Sequence, residues 1–154
     1  MIVQAATPAD AEKILALQRL AYRSEAELYA DDRIPPLLQS LDDIREEFTC
    51  QLFLKASLDG RIIGSVRAFC DEGSCFIGRL IVHPDHQGKG IGTELMARIE
   101  RHFPEGRRFE LFTGHRSERN IRLYERLGYS IFRRQQVSDS LTLVFMEKLL
   151  ETSS

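Results

Sequence analysis

Residues 80–95 read Leu-Ile-Val-His-Pro-Asp-His-Gln-Gly-Lys-Gly-Ile-Gly-Thr-Glu-Leu. An apolar run stops at Pro84, glycines alternate at 88, 90 and 92, and helix-forming residues follow. This order predicts a strand, a tight turn and a helix. The first N–H groups of a helix have no partner inside it, and the aligned peptide dipoles place partial positive charge there. Glycines let those donors approach an anion without an intervening Cβ. Gln87 and Lys89 offer side-chain donors, and Thr93 offers a hydroxyl from the first turn. The stretch therefore has the chemistry of a phosphate-binding turn. Its glycine spacing is not the dinucleotide G-x-G-x-x-G, and it lacks the four-residue gap of a P-loop. On its glycines alone, it is equally a punctuated turn with no ligand.

Working outward, Cys75–His83 is the expected strand before the turn, and Gly90 to about His102 the helix after it. Ile91, Leu95, Ile99 and Phe103 recur every fourth residue of that helix and give one buried stripe. Phe109–Thr113 reads as a strand, Glu118–Leu127 as a helix ended by Gly128, and Tyr129–Arg133 and Leu141–Lys148 as final strands. Upstream, Gln51–Ser57 and Arg61–Cys70 read as a hairpin through Asp59-Gly60, and Asp71–Ser74 as a second turn. Ile2–Ala5 is a short first strand. Thr7-Pro8 opens a helix carrying Ile14, Leu17, Leu20 and Ala21, and Pro35-Pro36 forbids its continuation. Ser40 caps a second short helix with Ile44 and Phe48 on one face. The expected order is β-α-α-β-β-β-α-β-α-β-β. The strand–helix–strand step across residues 75–113 implies one parallel pair in a mostly antiparallel sheet.

The chain has 154 residues, 43% hydrophobic and 29% charged, which suits one globular domain over 1–150 with a loose tail at 151–154. No apolar run reaches the roughly 20 residues of a membrane span, and the first residues lack the pattern of a signal peptide. Three cysteines without a CxxC pair point to reduced thiols and a cytoplasmic protein. His83 and His86 lack a third ligand, so no metal site is expected. Residues 1–78 carry 8 basic and 13 acidic side chains, whereas residues 79–154 carry 13 and 10. An acidic front half, with clusters at Glu25–Asp32 and Asp42–Glu47, suits a cationic partner, and a basic back half suits a polyanion. Arg116, Arg119, Arg122 and Arg126 share one helix face with interleaved glutamates, a solvated face rather than a nucleic-acid reader.

Gln87-x-x-Gly90-x-Gly92 is similar to the Q/R-x-x-G-x-G/A signature of the GNAT N-acetyltransferase superfamily. Leu80-Ile81-Val82-His83-Pro84 resembles the strand that closes on L-x-V-x-P in that family. Leu123-Tyr124 through Gly128-Tyr129 resembles its L-Y-x-x-x-G-F/Y helix end. Two motifs in order, with a strand between them, are far more specific than either alone. The resemblance covers residues 51–148, while the first fifty match in helix count only. It implies an α/β (α+β) fold with a mostly antiparallel sheet, a splayed parallel strand pair and flanking helices.

The same resemblance implies an acetyl-CoA-dependent transferase acting on a primary amine of a small molecule or a protein, by direct attack in a ternary complex. Acetyl-CoA would be held by the backbone of Leu80, Ile81 and Val82, and by Gln87, Gly88, Lys89, Gly90, Ile91, Gly92 and Thr93. A strand-end N–H there would polarise the thioester carbonyl. The family often carries an asparagine seven residues before the tyrosine. Ser117 stands there, expected as a helix N-cap, and Asn120 is the substitute cofactor contact. Tyr124 is the implied general acid to the departing thiolate, since a phenol remains protonated at neutral pH. Glu110 and His115 are the candidate bases. The rival reading is a catalytically silent GNAT-like acyl-CoA sensor. Many relatives are dimers, so a homodimer is a further expectation, although no exposed apolar stripe marks one.

Overall fold

The computed structural model describes residues 1–150. The tail assigned to 151–154 lies outside the described residues. Seven strands form one sheet in the order β1-β2-β3-β4-β5-β7-β6. The strands are β1 (Ile2–Ala5), β2 (Leu52–Leu58), β3 (Arg61–Asp71), β4 (Ser74–Val82), β5 (Arg108–Gly114), β6 (Ser130–Gln136) and β7 (Thr142–Leu149). All neighbouring pairs are antiparallel except β4 and β5, which run parallel. This matches the expected architecture. Both tight turns take positive φ at their two central residues. Asp59 and Gly60 stand at φ +51° and +77°, and Glu72 and Gly73 at +49° and +86°.

The helices are α1 (Ala11–Leu28), α2 (Pro35–Leu38), α3 (Leu41–Glu47), α4 (Ile91–Arg101) and α5 (Glu118–Arg126). The turn α2 was not expected. Pro35 and Pro36 do interrupt α1, but proline suits the first helical turn, where its missing N–H is no loss, and so they begin a new turn. Ser40 caps α3 as expected: its hydroxyl accepts the Asp43 N–H at 3.1 Å, and the Asp43 carboxylate accepts the Ser40 N–H at 2.9 Å.

Strand alternation divides the core between the two sheet faces. Leu54, Val66, Ala68, Phe109 and Leu111 face α4, whose Ile91, Leu95, Met96 and Ile99 are buried against them. Phe53 faces the other way, onto Ala11, Ile14 and Leu15 of α1 and Ile44 of α3. Gly64 lets α4 approach closely: a Cβ there would lie 3.0 Å from Leu95 and 3.1 Å from Ile91.

The cysteines correct an expectation. Cys70 and Cys75 face each other across β3 and β4 and are joined as a disulfide, leaving Cys50 as the free thiol. The odd count concealed this pair, although the turn at Asp71–Ser74 sets Cys70 and Cys75 opposite each other. Cysteine usage therefore carries no argument for a reducing compartment. No described helix is long and apolar enough to cross a membrane.

Candidate active site

The parallel pair β4–β5 stays together for only three positions, Ser74–Arg108, Cys75–Phe109 and Phe76–Glu110. Beyond Phe76, β4 continues to Val82 and β5 to Gly114 without pairing, so the strands splay. The divergence coincides with a bulge in β4. The register with β3 passes from Arg67–Gly78 to Ser65–Ile81, and Arg79 adopts a left-handed φ of +50°. On the β5 side, the outer half of β4 thus has backbone groups free to bind something else.

Two cavities meet at this gap. The first, of about 280 Å³, surrounds the start of α4. Gly88 and Gly90 hold φ +77° and +81°, and Gly90 directly precedes the first helical residue. A Cβ on Gly90 would meet nothing within 4 Å, so space beside the exposed helix donors stays open. Leu80, Ile81, Val82, Gln87, Gly88, Gly90, Ile91, Gly92, Thr93 and Asn120 all line this cavity. Lys89, the remaining residue implied for the cofactor, lies outside the lining. Arg119 and Arg126 add positive charge from α5, and Arg119 donates to Gln87 Oε1 at 2.6 Å. The helix face read as solvated thus turns two of its four arginines toward the cavity, while Arg122 pairs with Glu118 at 3.2 Å. Anion-attracting donors, open space and guanidinium groups converge as a diphosphate requires.

The second cavity, of about 430 Å³, runs from the splayed strands toward α1 and α2. Tyr22, Glu25, Leu80 and Asn120 line both cavities and mark the junction. Tyr124 lines the second one, and its hydroxyl makes no hydrogen bond to any described residue. Burial, with smaller contributions from Tyr22 and Glu25, pushes its phenol well above the ordinary tyrosine value. The Tyr22 phenol is raised as well, chiefly by burial. Tyr124 is therefore a protonated donor throughout the neutral range.

The two candidate bases do not join it. Glu110 accepts from Arg108 at 2.7 Å, within an ion cluster that also ties Arg108 to Glu147 at 2.7 Å. His115 is exposed, and its Nδ1 accepts the Thr142 N–H at 3.0 Å. Neither lines either of these two cavities. Ser117 precedes α5, but its hydroxyl makes no capping bond to the helix. It is buried between Tyr29 at 2.8 Å and Glu25 at 2.5 Å. The carboxylate at the junction is Glu25. Tyr22, Glu25 and Tyr29, at i, i+3 and i+7 of the α1 region, form a polar stripe that helical spacing could have revealed.

The acidic clusters are mostly spent locally. Asp43 serves the α3 cap, Asp42 lies 4.0 Å from Arg45, and Asp31 accepts the Arg33 N–H at 2.9 Å. Among the described residues, no group of three or more His, Cys, Asp or Glu is arranged to hold a metal ion.

The family model described as Acetyltransferase (GNAT) family matches residues 12–129. UPF0157 protein YqkA of Bacillus subtilis is 31% identical over 119 residues, covering 77% of this chain and 34% of that protein. The chain thus spans about a third of the length of the curated relatives it matches. Among solved structures, yncA of Salmonella typhimurium with its cofactor acetyl-CoA superposes with a TM-score of 0.78 at 19% identity, covering 100% of this chain and 96% of that one. The PaiA N-acetyltransferase of Thermoplasma acidophilum, in complex with coenzyme A, has a TM-score of 0.76 at 18% identity, with 97% and 99% covered. These likenesses carry the fold, and the family match carries the kinship. The chain belongs to the acetyltransferase (GNAT) family.

Proposed function

We propose that residues 1–150 form one acetyl-CoA-dependent N-acetyltransferase unit that acylates a primary amine by direct attack. The supporting observation is the meeting of two cavities at the splay, one cationic around a helix N-terminus and the other carrying a protonated phenol. When bound, acetyl-CoA supplies the activated acetyl group. The amides around Gly88–Gly92, with Arg119 and Arg126, hold its diphosphate. The unpaired backbone of Leu80–Val82 orients the pantetheine arm, and Asn120 contacts it at the junction. Tyr124 donates its proton toward the departing sulfur.

Glu25 takes the proton that the attacking amine must lose. It is the carboxylate lining both cavities, whereas Glu110 and His115 line neither. Ser117 and Tyr29 hydrogen-bond in series behind it and fix its orientation. A silent acyl-CoA sensor has no need of a buried phenol without a protein partner beside a carboxylate, so the enzymatic reading is favoured. Thiol release from acetyl-CoA, measured against a panel of amines, tests it. Amine-dependent release supports the transferase, and tight coenzyme binding without release from any amine overturns it.

A further inference from the structure

Four ionisable side chains other than tyrosines line the second cavity: Glu25, Glu47, Arg67 and Arg79. Glu47 and Arg67 satisfy each other at 2.6 Å. The other Arg67 terminal nitrogen donates to Gln18 and, at 3.5 Å, to Gln39. Arg67 is 2% exposed, so this guanidinium is consumed in clamping α1 and α3 to β3. Two charges remain. Glu25 stands at the junction with the first cavity, and Arg79 lines the second cavity alone.

Arg79 forms no ion pair among the described residues. Arg67 and the Tyr22 hydroxyl lie near it. Burial brings Arg67 down to about 10 against the opposing pull of Glu47, and Arg79 adds to the fall. Of the two guanidinium groups, Arg67 alone is paired with a carboxylate, in a cavity walled by Phe69, Phe76, Phe112, Leu141 and Leu143. Arg79 is half-buried and has no ion-pair partner among the described residues, so its guanidinium is free to take an anion in the cavity. The backbone at Arg79 is a second and independent observation. It takes the left-handed conformation at the β4 bulge, a strained state for a residue with a long side chain, and such bulges re-aim side chains at sites.

We propose that the acceptor is a small amine carrying a carboxylate and an apolar or aromatic body, as in an apolar amino acid. Arg79 binds the carboxylate as a fork, the aromatic and leucine walls take the body, and Glu25 faces the amine. A volume of about 430 Å³ lies within the usual range for small-molecule sites. The proposal departs from the cationic partner that the acidic front half suits, because Glu47 is already paired with Arg67. The assignment rests on the acetyl-transfer reading above. In the reaction, the amine nitrogen forms a bond to the acetyl carbon and the carbon–sulfur bond breaks. The proton of the amine passes to Glu25, and the sulfur takes one from Tyr124.

The test is a set of kcat/KM values for phenylalanine, leucine and methionine, each beside its carboxamide, with phenethylamine and spermidine included. The acids are expected to exceed their amides by about tenfold or more, the effect of a charge-assisted fork on one carboxylate. Arg79→Asn is the diagnostic variant, since asparagine tolerates a left-handed backbone and leaves the bulge intact. It should bring each acid to within about threefold of its amide, and Arg79→Lys should restore part of the preference. Protection of the variants by acetyl-CoA in a thermal-shift assay verifies that they are folded. Faster turnover of spermidine or the amides overturns the assignment but leaves acetyl transfer standing, as does an acid preference that survives Arg79→Asn. No turnover of any amine, with acetyl-CoA bound, overturns the acetyl-transfer reading and this assignment together.

Discussion

Replacing Tyr124 with phenylalanine removes one oxygen from the second cavity and little else. The phenol has no hydrogen-bond partner among the described residues, and its ring packs within the main core and edge-on to Tyr129 at 6.1 Å. Folding stability should therefore change by no more than about 0.5 kcal/mol, the usual bound for a change that leaves no orphaned partner. Turnover should change far more. A positioned general acid contributes about 10²–10⁴-fold, and a thiolate is a good leaving group that needs the lower end of that range. We expect kcat to fall by about tenfold to a hundredfold, equivalent to about 1.4–2.7 kcal/mol of barrier. The affinity for acetyl-CoA should be retained, because the diphosphate contacts lie in the other cavity.

Steady-state kinetics across the pH range, with calorimetric binding of coenzyme A, reads both quantities. The direction of the pH effect follows from burial. The folded phenol titrates above the unfolded value of about 10, so its contribution to stability is complete below that pH and is lost as pH rises toward the folded value. Tyr124→Phe should accordingly flatten the alkaline fall in stability. A kcat within about threefold of the parent protein would refute the role assigned to this hydroxyl.

Glu25→Gln should lower kcat by about tenfold or more with the KM for acetyl-CoA held, and an unchanged kcat would remove Glu25 as the base. Gly90→Glu places a carboxylate beside the helix donors and strains a backbone at φ +81°. It should abolish the thermal protection by coenzyme A, worth about 2.7 kcal/mol at a hundredfold excess over Kd, and protection that persists would move the phosphate site elsewhere. Gly114→Ala puts a methyl 2.0 Å from the Tyr29 hydroxyl, so Tyr29 must leave its place against Ser117 and Arg116. A loss of about 1–3 kcal/mol in denaturant unfolding is expected, and a neutral result would contradict the packing. Arg67→Ala strands the buried Gln18 and the half-buried Glu47 and should cost about 2–4 kcal/mol, whereas less than about 1 kcal/mol would show that the cluster is wet.

The strand–turn–helix of residues 75–101, both hairpins and the α3 cap were legible because each depends on local chemistry. Asp-Gly and Glu-Gly need positive φ, Ser40 needs a donor three residues on, and alternating glycines need an open helix start. The cavity around the start of α4 was legible for the same reason, since most of the residues that line it lie along one continuous stretch. The Cys70–Cys75 pair, five residues apart across the second turn, was local but hidden by the odd cysteine count. The rest of what escaped the sequence was long-range. Glu25 reaches the site because Ser117 and Tyr29, 88 residues apart, hydrogen-bond across the fold. Arg79 lines the second cavity from the β4 bulge, and no spacing rule marks a bulge. Glu110 had a suitable chemistry and the wrong neighbour: Arg108, two residues before it on the same strand face, captures its carboxylate.

Acetyl transfer at this site requires the diphosphate to sit at the start of α4. A crystal structure with acetyl-CoA locates it directly. Diphosphate oxygens are expected within hydrogen-bond distance of the amides around Gly88–Gly92, the pantetheine along Leu80–Val82, and the sulfur within reach of the Tyr124 hydroxyl. Coenzyme bound elsewhere, or a helix start at Ile91 that meets no phosphate, would contradict this placement.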